Sequence, residues 1–134
     1  MIVVDTNIIA YLYLPCAFTN QAEELLFADP AWAAPVLWRS EFRNILAGSL
    51  RRGQLTAQQA LHLQHEAESL MAGLEFEVSS HEVLALVNAS TCSAYDCEFV
   101  ALAMHLETHL VTMDQLILRA FPSIARPLVG SSPA

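Results

Sequence analysis

A chain of 134 residues with 54% apolar residues is long enough for one domain with a sizeable core. Its net charge is −8 at pH 7, and its six basic residues are all arginines. This balance excludes a protein that holds nucleic acid on a broad basic surface, so any RNA or DNA must be held locally, by a few arginines and by metal ions.

The first half of the chain predicts strands that alternate with helices. The β-branched run at 2–4 stops at an acidic residue, which is typical of a buried parallel strand. Residues 20–28 predict a helix, and residues 31–34 predict a second strand that ends at Pro35. Apolar residues then recur with a helical period over 38–51.

The second half continues the alternation and ends in a tail. In chain order, the pattern predicts a helix over 56–71, a strand over 74–78, helices over 80–88 and 94–106, a strand over 110–112, a helix over 115–121 and an edge strand over 124–127. We expect one domain over 1–129 and a frayed tail over 130–134. Strands alternating with helices predict an α/β sandwich around a mainly parallel sheet.

The cysteines and the hydropathy predict a reduced, cytoplasmic protein. Cys16, Cys92 and Cys97 are odd in number and lack CxxC spacing, so we expect free and mostly buried thiols. No apolar run approaches the roughly 18 residues of a membrane helix. Residues 8–18 have the hydropathy of a signal-peptide core, but Asp5 precedes them and no basic residue does.

Four acidic residues lie where strands end or helices begin. Asp5 directly follows the first predicted strand, and Asp114 follows the strand over 110–112. Glu41 and Asp96 lie in the first turns of their predicted helices. Because ligands of parallel α/β sheets bind beyond the carboxyl ends of the strands, we expect all four side chains to meet at one sheet edge.

Such a set of carboxylates indicates a divalent metal site. Carboxylates close together repel each other, and unpaired ones take up protons. Mg²⁺ and Mn²⁺ prefer carboxylate and water ligands, and such ions can polarise a phosphodiester and lower the pKa of bound water. The pattern therefore favours metal-assisted phosphodiester hydrolysis.

Each acid also has a structural explanation when it is taken alone. Asp96 lies three residues after Ser93, which is the spacing of a capping box. Asp114 fits a helix start with Thr112 as its cap, and Glu41 fits an exposed helix residue. Asp5 fits a polar turn between a strand and a helix. Four such coincidences at one sheet edge are less plausible than one shared site.

Four sequence blocks carry a resemblance to a known family. MIVVDTNIIAYL, PVLWRSEFRNIL, SAYDCEFVALA and LVTMDQLILRAFP resemble the motifs of PIN-domain ribonucleases, in that family's order over residues 1–127. Among these, the chain is similar to the VapC-type toxins of type II toxin–antitoxin pairs. The resemblance implies a PIN-like α/β/α sandwich with a central, mainly parallel sheet of four or five strands.

The resemblance also implies a reaction and the residues that perform it. Asp5, Glu41, Asp96 and Asp114 match the family's catalytic, metal-binding acids, with Mg²⁺ as the cofactor and Mn²⁺ as a substitute. The implied activity is an endoribonuclease that uses metal-activated water and leaves a 5′ phosphate and a 3′ hydroxyl. Some relatives carry a further acid after the fourth, where this chain has Gln115, so a second ion is expected to bind weakly.

Further residues and partners follow from the same resemblance. Thr6, Asn7 and Thr112 match polar positions that orient the carboxylates, and Tyr95 matches an aromatic position. The implied partners are RNA, an antitoxin with a basic C-terminal segment and a second copy of the chain. Since lysine is absent, the candidate phosphate contacts are arginines, each of which could equally form surface ion pairs: Arg39, Arg43, Arg51 and Arg52.

Other interpretations remain open. The same nuclease could act alone in RNA processing or against foreign nucleic acid, and an inactive PIN-like binding module belongs to another class. Histidine pairs invite a zinc site, but a catalytic one needs three convergent ligands. Aromatic residues could stack on bases, although core packing is the more common role: Trp32, Trp38, Tyr11 and Tyr13.

Overall fold

A computed structural model of the protein describes residues 1–130, so all but the first residue of the predicted tail lies outside the described residues. The described residues form five strands: β1 Ile2–Val4, β2 Trp32–Pro35, β3 Glu75–Phe76, β4 Leu110–Val111 and β5 Ala125–Arg126. They also form seven helices: α1 Thr6–Tyr13, α2 Thr19–Ala28, α3 Trp38–Arg51, α4 Ala57–Leu70, α5 Ser80–Asn88, α6 Ala94–His105 and α7 Gln115–Ala120.

The strands form one parallel sheet in the order β3-β2-β1-β4-β5. Val3 at its centre lies opposite Ala33 of β2 and Leu110 of β4. The chain builds the sheet outward from β1 to β3 and then crosses back to β4. Because parallel connections are right-handed, this reversal places α1–α4 on one face and α5–α7 on the other. The predicted α/β sandwich with a five-stranded parallel sheet is therefore confirmed.

The core lies on both faces of the central strands. Every residue of β1 and β2 is buried, as expected for strands that are covered on both sides. On one side α3 contributes Trp38 and Phe42, both with 0% exposure. On the other side α6 is apolar around most of its circumference, and six of its residues are buried. Burial of this kind fixes the position of α3 and α6, which carry two of the acidic residues.

Several predicted element boundaries differ from the structure. Helix α1 was not predicted, because the run after Asn7 is apolar without interruption; its start is marked by Asp5, whose side chain accepts a hydrogen bond from the N–H of Thr6. Pro35 belongs to β2 instead of ending it. The N–H groups that bond to β3 come from Ala34 and Val36, so the missing N–H of proline is tolerated.

The thiols and the tryptophans behave largely as predicted. The three cysteines are free; Cys92 and Cys97 are buried, whereas Cys16 is exposed. Trp32 and Trp38 are core residues with 1% and 0% exposure, so neither is available to stack on a base. None of the helices in residues 1–130 combines the length and apolarity needed to cross a membrane.

Candidate functional site

One cleft at the carboxyl ends of the strands collects the four predicted acids. Its volume is about 400 Å³, and its walls include Asp5 after β1, Glu41 on α3, Asp96 on α6 and Asp114 before α7. The remaining lining residues are uncharged: Thr6, Asn7, Leu37, Ser40, Asn44, Ile45 and Tyr95. Four carboxylates thus share one cavity whose described walls contain no arginine or histidine.

Asp5 is held in place at both carboxylate oxygens. Its Oδ1 accepts a hydrogen bond from the N–H of Thr6 at 2.8 Å, and its Oδ2 accepts one from the hydroxyl of Thr112 at 2.7 Å. Burial raises the pKa of Asp5, the two hydrogen bonds lower it, and the charges of Asp96 and Asp114 raise it further. The raised pKa shows that the native fold resists ionisation of this carboxyl group.

Thr112 joins two of the acids. Its side chain is fully buried, donates to Asp5 and accepts a hydrogen bond from the N–H of Asp114 at 3.0 Å. The prediction that Thr112 caps the following helix is wrong. Asp114 itself is the N-cap of α7, and its Oδ1 accepts hydrogen bonds from the N–H groups of Leu116 and Ile117. Thr112 is free to orient Asp5 because Asp114 performs the capping.

Glu41 is oriented by a second threonine. The hydroxyl of the buried Thr6 donates to Oε1 of Glu41 at 2.7 Å, which ties the first turn of α3 to the first turn of α1. Burial raises the pKa of Glu41, the bond from Thr6 lowers it, and the charges of Asp5, Asp96 and Glu98 raise it again. Thr6 and Thr112 therefore contact the acids that the sequence assigned them to orient.

Asp96 combines a capping position with a place in the cleft. Its N–H donates to the side chain of Ser93, the N-cap of α6, at 3.1 Å. Burial raises the pKa of Asp96, the Ser93 hydroxyl lowers it, and the charge of Asp114 raises it. The capping interpretation and the site interpretation are thus compatible, because the same helix start holds the acid and directs it to the cleft.

The donor set of the cleft fits a hard divalent cation. Carboxylate oxygens are the preferred ligands of Mg²⁺ and Mn²⁺, and burial, with the charges of neighbouring acids, raises the pKa values of Asp5, Glu41 and Asp96. Within residues 1–130, no three His, Cys, Asp or Glu side chains are already arranged to hold an ion. Metal binding therefore requires these side chains to converge on the ion.

The four candidate arginines differ in their contacts and in their exposure. Arg39 is engaged by two acids: its Nε and Nη2 donate to Glu75 at 2.6 and 2.7 Å, and its Nη1 donates to Glu68 at 3.2 Å. The hydrogen bonds to Glu75 raise the pKa of Arg39, and the same bonds lower the pKa of Glu75. Arg39 therefore fastens the start of α3 to α4 and β3.

The other three arginines are exposed. Arg43 donates to the hydroxyl of Ser40, a lining residue of the cleft. Arg52 lies in a neighbouring depression that shares Asn7 and Ile45 with the cleft, and Arg51 lines neither cavity. Arg43 and Arg52 are therefore the two candidate arginines that contact a lining residue of the cleft or lie in the depression beside it.

Sequence reasoning missed three polar residues near the acids. Ser40 and Asn44 line the cleft beside Glu41, and Asn44 is three residues further along α3, a spacing that places both side chains on one helix face. That spacing could have revealed Asn44. Glu98 lies close enough for its charge to raise the pKa of Glu41, and its position in the middle of α6 carries no comparable signal.

Comparisons with known proteins agree with this fold. The family model of the PIN domain matches residues 2–121. Ribonuclease VapC3 of Pyrobaculum aerophilum is 31% identical over 130 residues, which cover 94% of this chain and 98% of that protein. Two solved structures share the fold at lower identity. A toxin–antitoxin complex from Klebsiella pneumoniae has a TM-score of 0.70 at 18% identity, covering 96% of this chain and 98% of that one. PAE2754 from Pyrobaculum aerophilum has a TM-score of 0.74 at 19% identity, covering 94% and 82%.

Proposed function

The chain belongs to the PIN domain family, and from this premise we propose that it is an Mg²⁺-dependent endoribonuclease, the toxin of a VapBC-like type II toxin–antitoxin pair. One observation carries the proposal: acids from four separate segments line one cleft whose described walls lack basic residues. The similarity to a relative named as a ribonuclease, which extends over nearly the whole chain, supports the same activity.

The protein's own residues would prepare the site for the reaction. Asp5, Glu41, Asp96 and Asp114 would hold Mg²⁺ or Mn²⁺, and Thr6 and Thr112 fix two of these carboxylates by hydrogen bonds. When bound, such an ion polarises the phosphodiester and lowers the pKa of its bound water. Ser40, Asn44 and the exposed Asn7 offer uncharged hydrogen-bonding groups to the sugar and phosphate of the substrate.

The test is cleavage of RNA with Mg²⁺ or Mn²⁺ compared with EDTA. Asp5→Asn should abolish cleavage while far-ultraviolet circular dichroism stays unchanged, since asparagine is also a good N-cap. Asp29→Asn is the matched control, because Asp29 is the one aspartate outside the cleft. Equal cleavage by Asp5→Asn, or full activity in EDTA, would overturn the proposal.

The negative charge of the cleft also supports the proposal that an antitoxin is the partner of this protein. A basic C-terminal segment laid across four carboxylates would neutralise them and occupy the place of the metal. The cheapest test is co-purification with the product of a short neighbouring reading frame, followed by inhibition of cleavage with its C-terminal peptide. Inhibition should weaken as salt is raised. A peptide without effect at low salt would remove this part of the proposal.

We further propose a cytoplasmic homodimer. Light scattering of the purified chain measures its oligomeric state directly, and a monomer at micromolar concentration would contradict the dimer. Cell fractionation measures the location.

A further inference from the structure

A second cavity adjoins the acidic cleft. Its volume is about 490 Å³, and Leu37 belongs to the walls of both. We call it the flanking pocket and define it by six of its lining residues: Val36, Leu37, Phe76, Val83, Leu84 and Glu98. Since the two cavities share a wall, a molecule with its phosphodiester in the cleft can place the adjacent group in the flanking pocket.

Of the two charged residues that line this pocket, Glu98 is the one that is partly buried. Within residues 1–130 no hydrogen bond or ion pair engages its carboxylate, since burial is the sole influence on its pKa. The other partly buried glutamates near the cleft are engaged: Glu41 by Thr6 and Glu75 by Arg39. The two carboxylate oxygens of Glu98 are therefore free to accept hydrogen bonds from a molecule bound in the pocket.

The helix directs Glu98 into a different cavity from the metal-binding acids, although it lies only two residues from Asp96. Asp96 and Glu98 are two residues apart on α6, which corresponds to a rotation of about 200°. Accordingly Asp96 lines the cleft and Glu98 lines the flanking pocket. The pocket is therefore adjacent to the site of the reaction and distinct from it.

The other walls of the pocket are mainly apolar, and two exposed polar residues, Glu77 and Ser80, also line it. Leu84 is 61% exposed and Val36 is 45% exposed, although both are large apolar side chains. The half-buried ring of Phe76 also lines the pocket. Mainly apolar walls with one partly buried carboxylate suit a flat group that has apolar faces and a donor edge. Beside a phosphodiester site, that group is a nucleobase, and unstacked RNA bases are recognised in this way.

The carboxylate selects among the four bases. An ionised glutamate only accepts hydrogen bonds, and its two oxygens can accept two parallel ones. On the Watson–Crick edge, guanine has two adjacent donors, N1–H and the N2 amine. Adenine and cytosine each present one donor beside a ring acceptor, and uracil presents one donor between two acceptors. Guanine is therefore the base that can satisfy both carboxylate oxygens.

We propose that the flanking pocket is a guanine subsite for the RNA strand, in which Glu98 accepts hydrogen bonds from N1–H and the N2 amine of the base. This proposal rests on the proposed nuclease activity. It makes Glu98 a determinant of sequence preference, and it assigns no role in bond cleavage to that residue.

Cleavage of a randomised RNA pool, with sequencing of the new 5′ ends, tests the preference. Wild type should enrich guanine at one position near the cut, by about 5- to 150-fold over the other bases, the range that one bidentate base contact provides. Glu98→Ala should remove the enrichment while cleavage persists. Glu98→Gln should shift it toward adenine or cytosine, because an amide offers one donor and one acceptor.

Matched controls separate this contact from indirect effects. Glu82→Gln changes an exposed glutamate outside the flanking pocket and should leave the preference unchanged. In a defined substrate, inosine lacks the N2 amine and should reduce kcat/KM, whereas 7-deazaguanine keeps both donors and should not. An unchanged guanine preference in Glu98→Ala would overturn the proposal. Loss of affinity for an antitoxin as the only effect of Glu98→Ala would also overturn it, because Glu98 would then pair with a basic residue of that protein.

A binding measurement keeps the subsite testable if the chain cleaves no RNA. Guanosine monophosphate should shift the methyl NMR signals of Val83 and Leu84, adenosine monophosphate should shift them less, and Glu98→Gln should remove the difference. Such shifts without RNA cleavage would refute the proposed nuclease and support the base pocket. Equal shifts with both nucleotides, or none, would refute the pocket even if RNA is cleaved.

Discussion

Glu41→Gln should stabilise the metal-free protein at neutral pH. The raised pKa of Glu41 means that the native state binds a proton more tightly than the unfolded chain. The stabilisation associated with this group is therefore fully present below the unfolded pKa and is lost as the pH rises through the folded pKa. At pH 7 the ionised side chain is a net cost to the fold. The amide removes that charge, and its oxygen can still accept the hydrogen bond from Thr6.

The expected gain is modest, because Glu41 is only partly buried and solvent screens much of the repulsion. Repulsion between partly exposed charges of this kind is worth about 1 kcal/mol, and the weaker neutral hydrogen bond offsets part of the gain. For 134 residues, an unfolding entropy of about 2.1 cal/mol/K per residue converts this gain to a Tm rise of at most about 3–4 °C.

Thermal unfolding in EDTA at pH 7 and near pH 4.5 measures the effect. The difference between variant and wild type should shrink at the lower pH, where the wild-type carboxyl takes up its proton. Added Mg²⁺ should reverse the ranking, since an ion at 100 times its Kd stabilises wild type by about 2.7 kcal/mol and binds the variant less tightly. Glu23→Gln, an exposed change on α2, is the control and should shift Tm little. A lower Tm for Glu41→Gln in EDTA at pH 7 would refute the reasoning.

Three further predictions concern residues around the site. Thr112→Val should destabilise the fold by about 1–3 kcal/mol in urea unfolding, because it leaves Oδ2 of Asp5 and the N–H of Asp114 without a partner, whereas Thr112→Ser should retain most of the stability. Arg39→Met should cost about 1–2 kcal/mol by leaving Glu75 unpaired, and the added change Glu75→Gln should restore part of it; full stability in the single variant would contradict the fastening role. Arg52→Ala should weaken binding of single-stranded RNA and reduce the slope of log K against log salt by about 0.7, with no change in Tm.

The fold class and the acids could be predicted because they depend on local patterns. Short apolar runs between helical periods located β1 and β4, and an acid that follows such a run in a parallel sheet has to lie at the same edge. Helix α1 was missed because apolar residues fill both of its faces, which removes the periodic signal.

Other features depend on pairs of residues that are distant in sequence. Arg39 meets Glu75 across 36 positions and Glu68 across 29, so its structural engagement could not be derived from its own surroundings in the chain. Glu98 was missed for the opposite reason: its neighbours in sequence resemble a buried helix, and only the packing of residues 36–37, β3 and α5 beside α6 opens a cavity at its side chain.

The strand order has a consequence for when the protein becomes active during synthesis. β1 emerges first from the ribosome, but it lies at the centre of the sheet and pairs with β4 near the other end of the chain. The bond from Thr112 to Asp5 joins positions 107 residues apart. A nascent chain therefore lacks both the orienting hydroxyl and the fourth acid until residues 112–114 have been synthesised. The ribosome that makes this proposed toxin is exposed to an assembled cleft only after residue 114 has left the exit tunnel.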